Sequence, residues 1–438
     1  MKKTFKQVEV DGNTYNFLDL PGTNLFKFEV VCSKGAHIER VLNNEFDRNF
    51  FGISHLIEHI KFKRTKDFTT DELWDTLLNE GQFNASTGHS RISYWFKTVS
   101  QKKETAIQVV CNIAFNDFSL VPEDEFLSEK KTVCNEANDA LNKIDQMFYR
   151  NARCVIAGHD LEDNVIGLSD TIKNFTLADI KLVNSYFLNK ENHSFNIIFD
   201  STRGETYEDI ILLIQKQLSR FKFNTPDISI NDKYLSNLGD FNLGNYVVDS
   251  DSKQKKHYIL LDVVDNSYTS DYTTRYLNDL SGDSSLFKMI REDAGLSYSP
   301  HLYEMIFSNK YYVVFSCDVT FGTEEEMLSL FEKSINDTCD NFTQDSYKKL
   351  INSLQLDRTI SLTNQNLYAD LFSFAYWDKN VFDKYSELLS MDIDEAYLKM
   401  DNDLGSFNAI KVQLESMKLA VNNKKYALVT NEKKTRSY

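Results

Sequence analysis

Polar and apolar positions trade places along the first part of the chain with the short period of half-buried strands, from Phe5 to Phe17 and from Leu25 to Cys32. The period then lengthens. Residues 51–63 contain no proline and place their one glycine at the start, which predicts a helix. A second helix is expected from Thr70 to Asn79, opened by Thr69-Thr70-Asp71-Glu72, a capping-type start. Tyr94 to Val99 reads as a strand, and Lys103–Asn116 and Glu123–Phe148 carry the i, i+3, i+4 apolar spacing of helices. Thr176–Phe187 reads as another helix, Ser194–Asp200 as a short buried strand, and Tyr207–Phe221 as a closing helix.

From Phe223 to Asp240 the chain is polar and irregular, which marks a boundary. The order then restarts. A strand is expected over Lys256–Val264, helix over Tyr272–Glu292 with a break at Ser281-Gly282, and a strand over Tyr311–Val319. Helices follow at 323–340, 344–362 and 366–376, then a last strand at Tyr426–Thr430 and a charged tail from Asn431. Each half reads strands, helix, strand, helices, strand. The expected class is α+β: two related domains, residues 1–225 and 240–438, each a mostly antiparallel β-sheet packed with α-helices.

Composition narrows the function. At 438 residues the chain exceeds one ordinary core, and 42% hydrophobic with 26% charged residues is the balance of a folded protein. No apolar run approaches the roughly 18 residues of a membrane span. Met1-Lys2-Lys3 is followed by polar alternation rather than an apolar run, so no secretory signal and a cytoplasmic location are expected. Six cysteines, at 32, 111, 134, 154, 317 and 339, form no C-x-x-C, which points to a reducing compartment without disulfides or a cysteine metal site. The net charge of −16 argues against a nucleic-acid binder, since phosphate contacts need a basic face. It allows an acidic surface that draws basic peptides, although charge of this size also serves plain solubility. Few prolines (4) and glycines (15) beside abundant Asn, Lys, Ile, Phe and Tyr suit an AT-rich bacterial or viral genome.

The chemistry concentrates in His55-Leu56-Ile57-Glu58-His59. On a helix, His55 and His59 are one turn apart on one face, and Glu58 leans toward the same spot. Two imidazoles at that spacing can hold one metal ion, and a carboxylate beside it can take a proton from water. This is the inverted H-x-x-E-H zinc pattern. Histidine is scarce, 8 in 438 residues, so chance produces the pattern in roughly one such chain in a hundred. A catalytic zinc needs a third protein ligand and an open position. Glu129 and Glu136 share a face of a downstream helix, two turns apart; one can ligate while the other orients a ligand. Alone, such a pair would be an ordinary solvated face.

Together these blocks resemble the pitrilysin/insulysin family of zinc metallopeptidases, which includes the insulin-degrading enzymes and the mitochondrial processing peptidases. Glu136 stands 77 residues after His59, the family's spacing for its third ligand, and Glu129 matches an acid two turns earlier. Gly81, Asn84-Ala85-Ser86-Thr87 and Tyr94 resemble the family's glycine, Asn-Ala-x-Thr and later tyrosine. Arg291 and Tyr298, seven apart, resemble its C-terminal arginine-to-tyrosine element. The chain departs at Arg64, Ile92 and Ser297, where the family usually has Gly, Thr and a smaller residue; none of these removes a ligand or base.

The resemblance implies a short, two-domain form like the bacterial peptidases related to mitochondrial processing peptidase. One Zn²⁺ per chain would be held by His55, His59 and Glu136, with Glu58 as general base and Glu129 supporting a ligand. Asn84 and Ala85 would bind substrate backbone as an added strand. Arg291 and Tyr298 would bind the substrate carbonyl and stabilise its developing charge. The expected function is an endopeptidase that cuts unfolded peptides in an enclosed chamber. The expected assembly is a homodimer, with a heterodimer as the variant. The alternative is a non-catalytic peptide-binding or support subunit; a metal hydrolase acting on something other than peptide would leave the Arg291–Tyr298 match unexplained.

Overall fold

The computed structural model describes residues 4–89, 91–158, 164–223, 242–249, 252–261, 269–307, 310–361, 393–403 and 405–432. They form two compact units. The first comprises the described residues up to 141, 164–223 and Ile393; the second comprises the described residues within 142–158, 242–361 and 394–432.

The first unit opens with β1 (Thr4–Val10), β2 (Asn13–Asp19) and β3 (Leu25–Cys32). The expected single stretch from Phe5 to Phe17 is therefore a hairpin, turned at Asp11 and Gly12, both at positive φ. Then come α1 (His37–Phe46), α2 (Ile53–Ile60), α3 (Thr70–Glu80), β4 (Gln82–Thr87) and β5 (Ile92–Val99). After them run α4 (Lys103–Ala114), α5 (Glu123–Asn142) and α6 (Ile144–Ala157). The unit closes with the short α7 (Ser169–Ile172), α8 (Leu177–Phe187), β6 (His193–Phe199) and α9 (Tyr207–Leu218). Thr69, Thr176 and Thr206 each make a reciprocal capping box, so three helices start where the sequence places an acceptor before an acidic third residue.

The sheet order is β1-β2-β6-β3-β5-β4, antiparallel except for the β2–β6 pair. One face follows the period-two pattern: Phe26, Phe28 and Val30 of β3 join Tyr94 and Phe96 of β5 and Phe195 and Ile197 of β6 in the core. Helical Ile53, Leu56, Ile57 and Ile60 of α2 are buried in the same core.

The stretch expected as one helix from Glu123 to Phe148 is two. It breaks at Lys143 (φ −81°, ψ 78°), and α6 belongs to the second unit. The reason is burial: Phe148, Ala152 and Ile156, four apart on one face, pack on Tyr258, Leu260, Val314 and Val429 of the second sheet. Residues 142–158 thus depart from the expected assignment of 1–225 to one domain.

The second unit contains β7 (Gly244–Asp249), β8 (Lys255–Leu261), α10 (Thr269–Arg275), β9 (His301–Phe307) and β10 (Lys310–Val319). It continues with α11 (Glu324–Asp340), α12 (Gln344–Ser361), α13 (Ile393–Asp403), α14 (Phe407–Asn422) and β11 (Tyr426–Glu432). Its sheet order is β7-β11-β8-β10-β9, with β7–β11 parallel and the other pairs antiparallel. Numbered by chain order, both five-strand cores run first-fifth-second-fourth-third, with the parallel pair at the same place. The two units are therefore related in topology, and the class is α+β. The helix expected at 366–376, the boundary segment 224–240 and the tail from 433 lie outside the described residues. All six cysteines are free and buried.

Candidate metal centre

The metal-binding pattern lies on α2. Ile53, Leu56, Ile57 and Ile60 face the core, which turns His55, Glu58 and His59 to the opposite side. α5 repeats the division: Phe126, Val133 and Ala137 are buried, while Glu129 and Glu136 lie off that face. His59 Nε2 is 3.4 Å from Glu136 Oε2, and His55 Nε2 is 4.0 Å from Glu136 Oε1. One ligand atom from each of His55, His59 and Glu136 lies within 4.8 Å of the others. Tetrahedral zinc bonds of about 2.1 Å set ligand atoms roughly 3.4 Å apart, so the cluster is near the size the ion requires. Two imidazole nitrogens and one carboxylate are also a donor set that zinc accepts.

Glu129 does not converge on that point. Its Oε1 accepts a hydrogen bond from His59 Nδ1 at 2.9 Å, and Lys63 Nζ meets its Oε2 at 2.5 Å. Burial lowers the His59 pKa, but the bond to Glu129 and the charges of Glu129, Glu58 and Glu136 outweigh it and raise it. Glu129 keeps one proton on Nδ1, so a metal would compete with the second proton for the Nε2 lone pair. Burial raises the Glu129 carboxyl, but the bonds from His59 and Lys63 outweigh it and hold it below the ordinary range. Burial beside His59 lowers the His55 pKa to about 4, which keeps its imidazole neutral and able to ligate. Burial and the Glu136 charge raise Glu58, against an opposing hydrogen bond from Thr87 and the charge of His59. A base with a raised pKa can carry the proton it takes and then release it.

Sequence reading gave Thr87 no role beyond the Asn-Ala-x-Thr match, yet its hydroxyl donates to Glu58 Oε2. β4 is an edge strand of the first sheet; Asn84 on it is exposed and Ala85 half-buried, paired with Trp95 and Tyr94 of β5. Lys63 also went unassigned, because its role depends on the packing of α5 against the end of α2. Arg291 and Tyr298 meet within the second unit: the guanidinium carbon is 4.2 Å from the Tyr298 ring centre and 4.7 Å from that of Phe287. Arg291 lies on a wide-turned π-helical stretch, Phe287–Asp293, rather than on the regular helix expected through Glu292. Tyr298 is 79% exposed.

A doubled α+β scaffold with a His-His-Glu cluster on one copy is the arrangement of a two-domain peptidase-like fold. The chain belongs to peptidase family M16: the model "Insulinase (Peptidase family M16)" matches residues 45–154, and "Peptidase M16 inactive domain" matches residues 204–354. An uncharacterized zinc protease of Rickettsia felis is 22% identical over 395 residues, 88% of each chain. Two solved structures share the fold. A protease from Helicobacter pylori matches with TM-score 0.71 and 19% identity, over 98% of this chain and 100% of that one. The peptidase M16 inactive domain from Pseudomonas fluorescens matches with TM-score 0.72 and 14% identity, over 98% of both. No helix among the described residues is long and apolar enough to cross a membrane.

Proposed function

We propose that the chain is a zinc endopeptidase acting on unfolded peptides. The observation that carries this reading is the convergence of His55, His59 and Glu136 to within 4.8 Å, with Glu58 on the same helix face. Zinc held by those three residues would supply Lewis-acid polarisation and lower the pKa of water. Glu58 takes the proton from the attacking water and passes it to the leaving amine. Thr87 holds the Glu58 carboxylate, and Glu129 holds the His59 ring. The free edge of β4 can pair with a substrate backbone beside Asn84 and Ala85, which requires an extended peptide. Arg291 and Tyr298 then donate to the scissile carbonyl oxygen as it gains charge.

We further propose a homodimer in which each copy lends Arg291 and Tyr298 to its partner's metal centre, enclosing the substrate. A heterodimer with a related chain would serve the same end. Six free cysteines support a reducing compartment such as the cytoplasm. The rival reading, a non-catalytic support subunit, draws on the inactive-domain match. That match covers residues 204–354 and leaves Glu58 and the ligands outside it.

The test is Glu58→Gln. The amide keeps the shape but cannot accept the proton, so zinc content stays at wild-type level and peptide hydrolysis falls roughly a thousandfold. Products from a mixed peptide library, read by mass spectrometry, measure it. Cleavage at the wild-type rate would remove Glu58 as the base; no cleavage by the wild-type protein, alone or with added partner chains, would favour the support subunit.

A further inference from the structure

α2 is only eight residues long, too short to hold its shape alone, and it carries no cap of its own. Its N-cap is Gly52, at φ 89°, which offers no side-chain acceptor for the unpaired N–H groups of the first turn. The acceptor comes from another helix. Glu39 of α1 is fully buried, and its Oε2 accepts the Gly52 N–H at 2.9 Å while its Oε1 accepts the Ser54 N–H at 2.8 Å. Asn43, one turn further along α1, accepts the Phe50 N–H at 2.6 Å. One face of α1 therefore grips the chain from Phe50 to Ser54, and the next residue is His55. From the other side, a Cβ on Gly52 would come within 2.6 Å of the Gly167 Cα, so the entry to α2 has no room to slide.

α1 is itself tied to the turn that follows β4. The Ala36 N–H donates to Gly88 O at 3.0 Å and the His37 N–H to His89 O at 2.9 Å. A Cβ on Gly35 would lie 2.3 Å from Gly88 O, so the backbones touch there. Gly88 follows Thr87, the residue that holds Glu58. The same brace thus locates the start of the metal-binding helix and the end of the strand beside it.

We propose that Glu39 is a positioning residue for the metal centre. Its two oxygens fix the first turn of α2 and, through it, the His55 imidazole relative to Glu136. A carboxylate at this place would also suit the positive end of the α2 dipole. The proposal rests on the zinc reading of the His55–His59–Glu136 cluster. A ligand set tolerates little displacement before the bond lengths fail, so loosening the first turn weakens zinc binding.

The test compares Glu39→Gln with Leu42→Ala. Glutamine keeps the size but offers one acceptor oxygen and turns a donor toward a backbone N–H. Leu42 lies on the same helix, is fully buried and touches neither Gly52 nor Ser54 through a hydrogen bond, so its truncation loosens α1 by a different route. Chelator competition reads the zinc dissociation constant, the cobalt-substituted protein reads ligand geometry by its visible absorption, and thermal melting reads stability. For Glu39→Gln the expected result is a dissociation constant raised about tenfold with a changed cobalt spectrum. For Leu42→Ala it is a lower melting temperature with near-wild-type zinc affinity in the folded protein. Glu39→Asp, which keeps both oxygens on a shorter stem, falls between wild type and Gln, and it replaces Gln in the comparison if Gln does not fold. Wild-type affinity and spectrum in the Glu39 variant, or equal zinc weakening in Leu42→Ala, would overturn the proposal. Failure of the wild type to bind zinc would overturn it together with the reading beneath it.

Discussion

The two units repeat one strand order and fill the same gap differently. Between the second and third core strands the first unit, from β3 to β4, inserts α1, α2 and α3; the second, from β8 to β9, inserts α10 and the wide-turned Tyr276–Leu280 and Phe287–Asp293. The first insertion brings His55, Glu58 and His59 to one helix face opposite Glu136. The second brings Arg291 onto the ring of Tyr298. Among the described residues the one three-ligand cluster is in the first unit. A shared sheet supplies the platform, and chemistry is decided by what the insertion carries.

If that division is right, damage to the His-His-Glu cluster of the first unit leaves the Arg291–Tyr298 element of the second intact. The largest effect is expected from His55→Ala or Glu136→Ala. Either variant loses bound zinc by metal analysis and all measurable hydrolysis. Melting of the protein changes little, because the two cores form from apolar contacts rather than from the metal. Global unfolding on chelation would instead make the metal structural.

Next comes Arg291→Ala combined with Tyr298→Phe. Zinc content should hold, while kcat falls on the order of a hundredfold from lost transition-state donors. Mixing this variant with Glu58→Gln and allowing subunit exchange sharpens the comparison. In the homodimer proposed above, a mixed pair would join one intact metal domain to one intact arginine-tyrosine domain, and activity is expected to return. No return despite proven exchange would place both elements within one chain or with a different partner.

Glu129→Gln is expected to act more mildly. It keeps an acceptor for His59 Nδ1 but loses the ion pair to Lys63, and zinc affinity measured by chelator competition drops about tenfold. An unchanged affinity would make Glu129 a packing residue only.

The smallest effect treats both units alike. His193 in β6 and His257 in β8 are each lowered by burial to about 4 from 6.5. The unfolded chain takes up those protons first as pH falls. The contribution of these two histidines to stability is therefore full above about pH 6.5 and declines toward pH 4. Replacing both with Gln should flatten melting temperature against pH over that window. An unchanged slope would assign the acid sensitivity to other groups.

The sequence by itself determined the zinc pattern, because i and i+4 spacing on a helix sets direction whatever the helix packs against. It determined the strands at Leu25–Cys32 and Tyr311–Val319 and the capped helix start at Thr69, which depend on local period and local hydrogen bonds. The sequence reading leaves unassigned the strands β4, β7 and β9 and the helices α1, α13 and α14, although α14 carries helical apolar spacing at Ile410, Leu414, Met417 and Val421. β4 is half-exposed and short, and α1 mixes Asn43, Asn44 and charge among few apolar residues. Lys143 looked helical on both sides, and only the second sheet, by burying Phe148, Ala152 and Ile156, decided that the chain turns there. Tertiary structure alone brought Thr87 to Glu58, Lys63 to Glu129 and Glu39 to the start of α2. Each of these contacts joins side chains from different elements, and spacing along one element carries no information about which face another element will present.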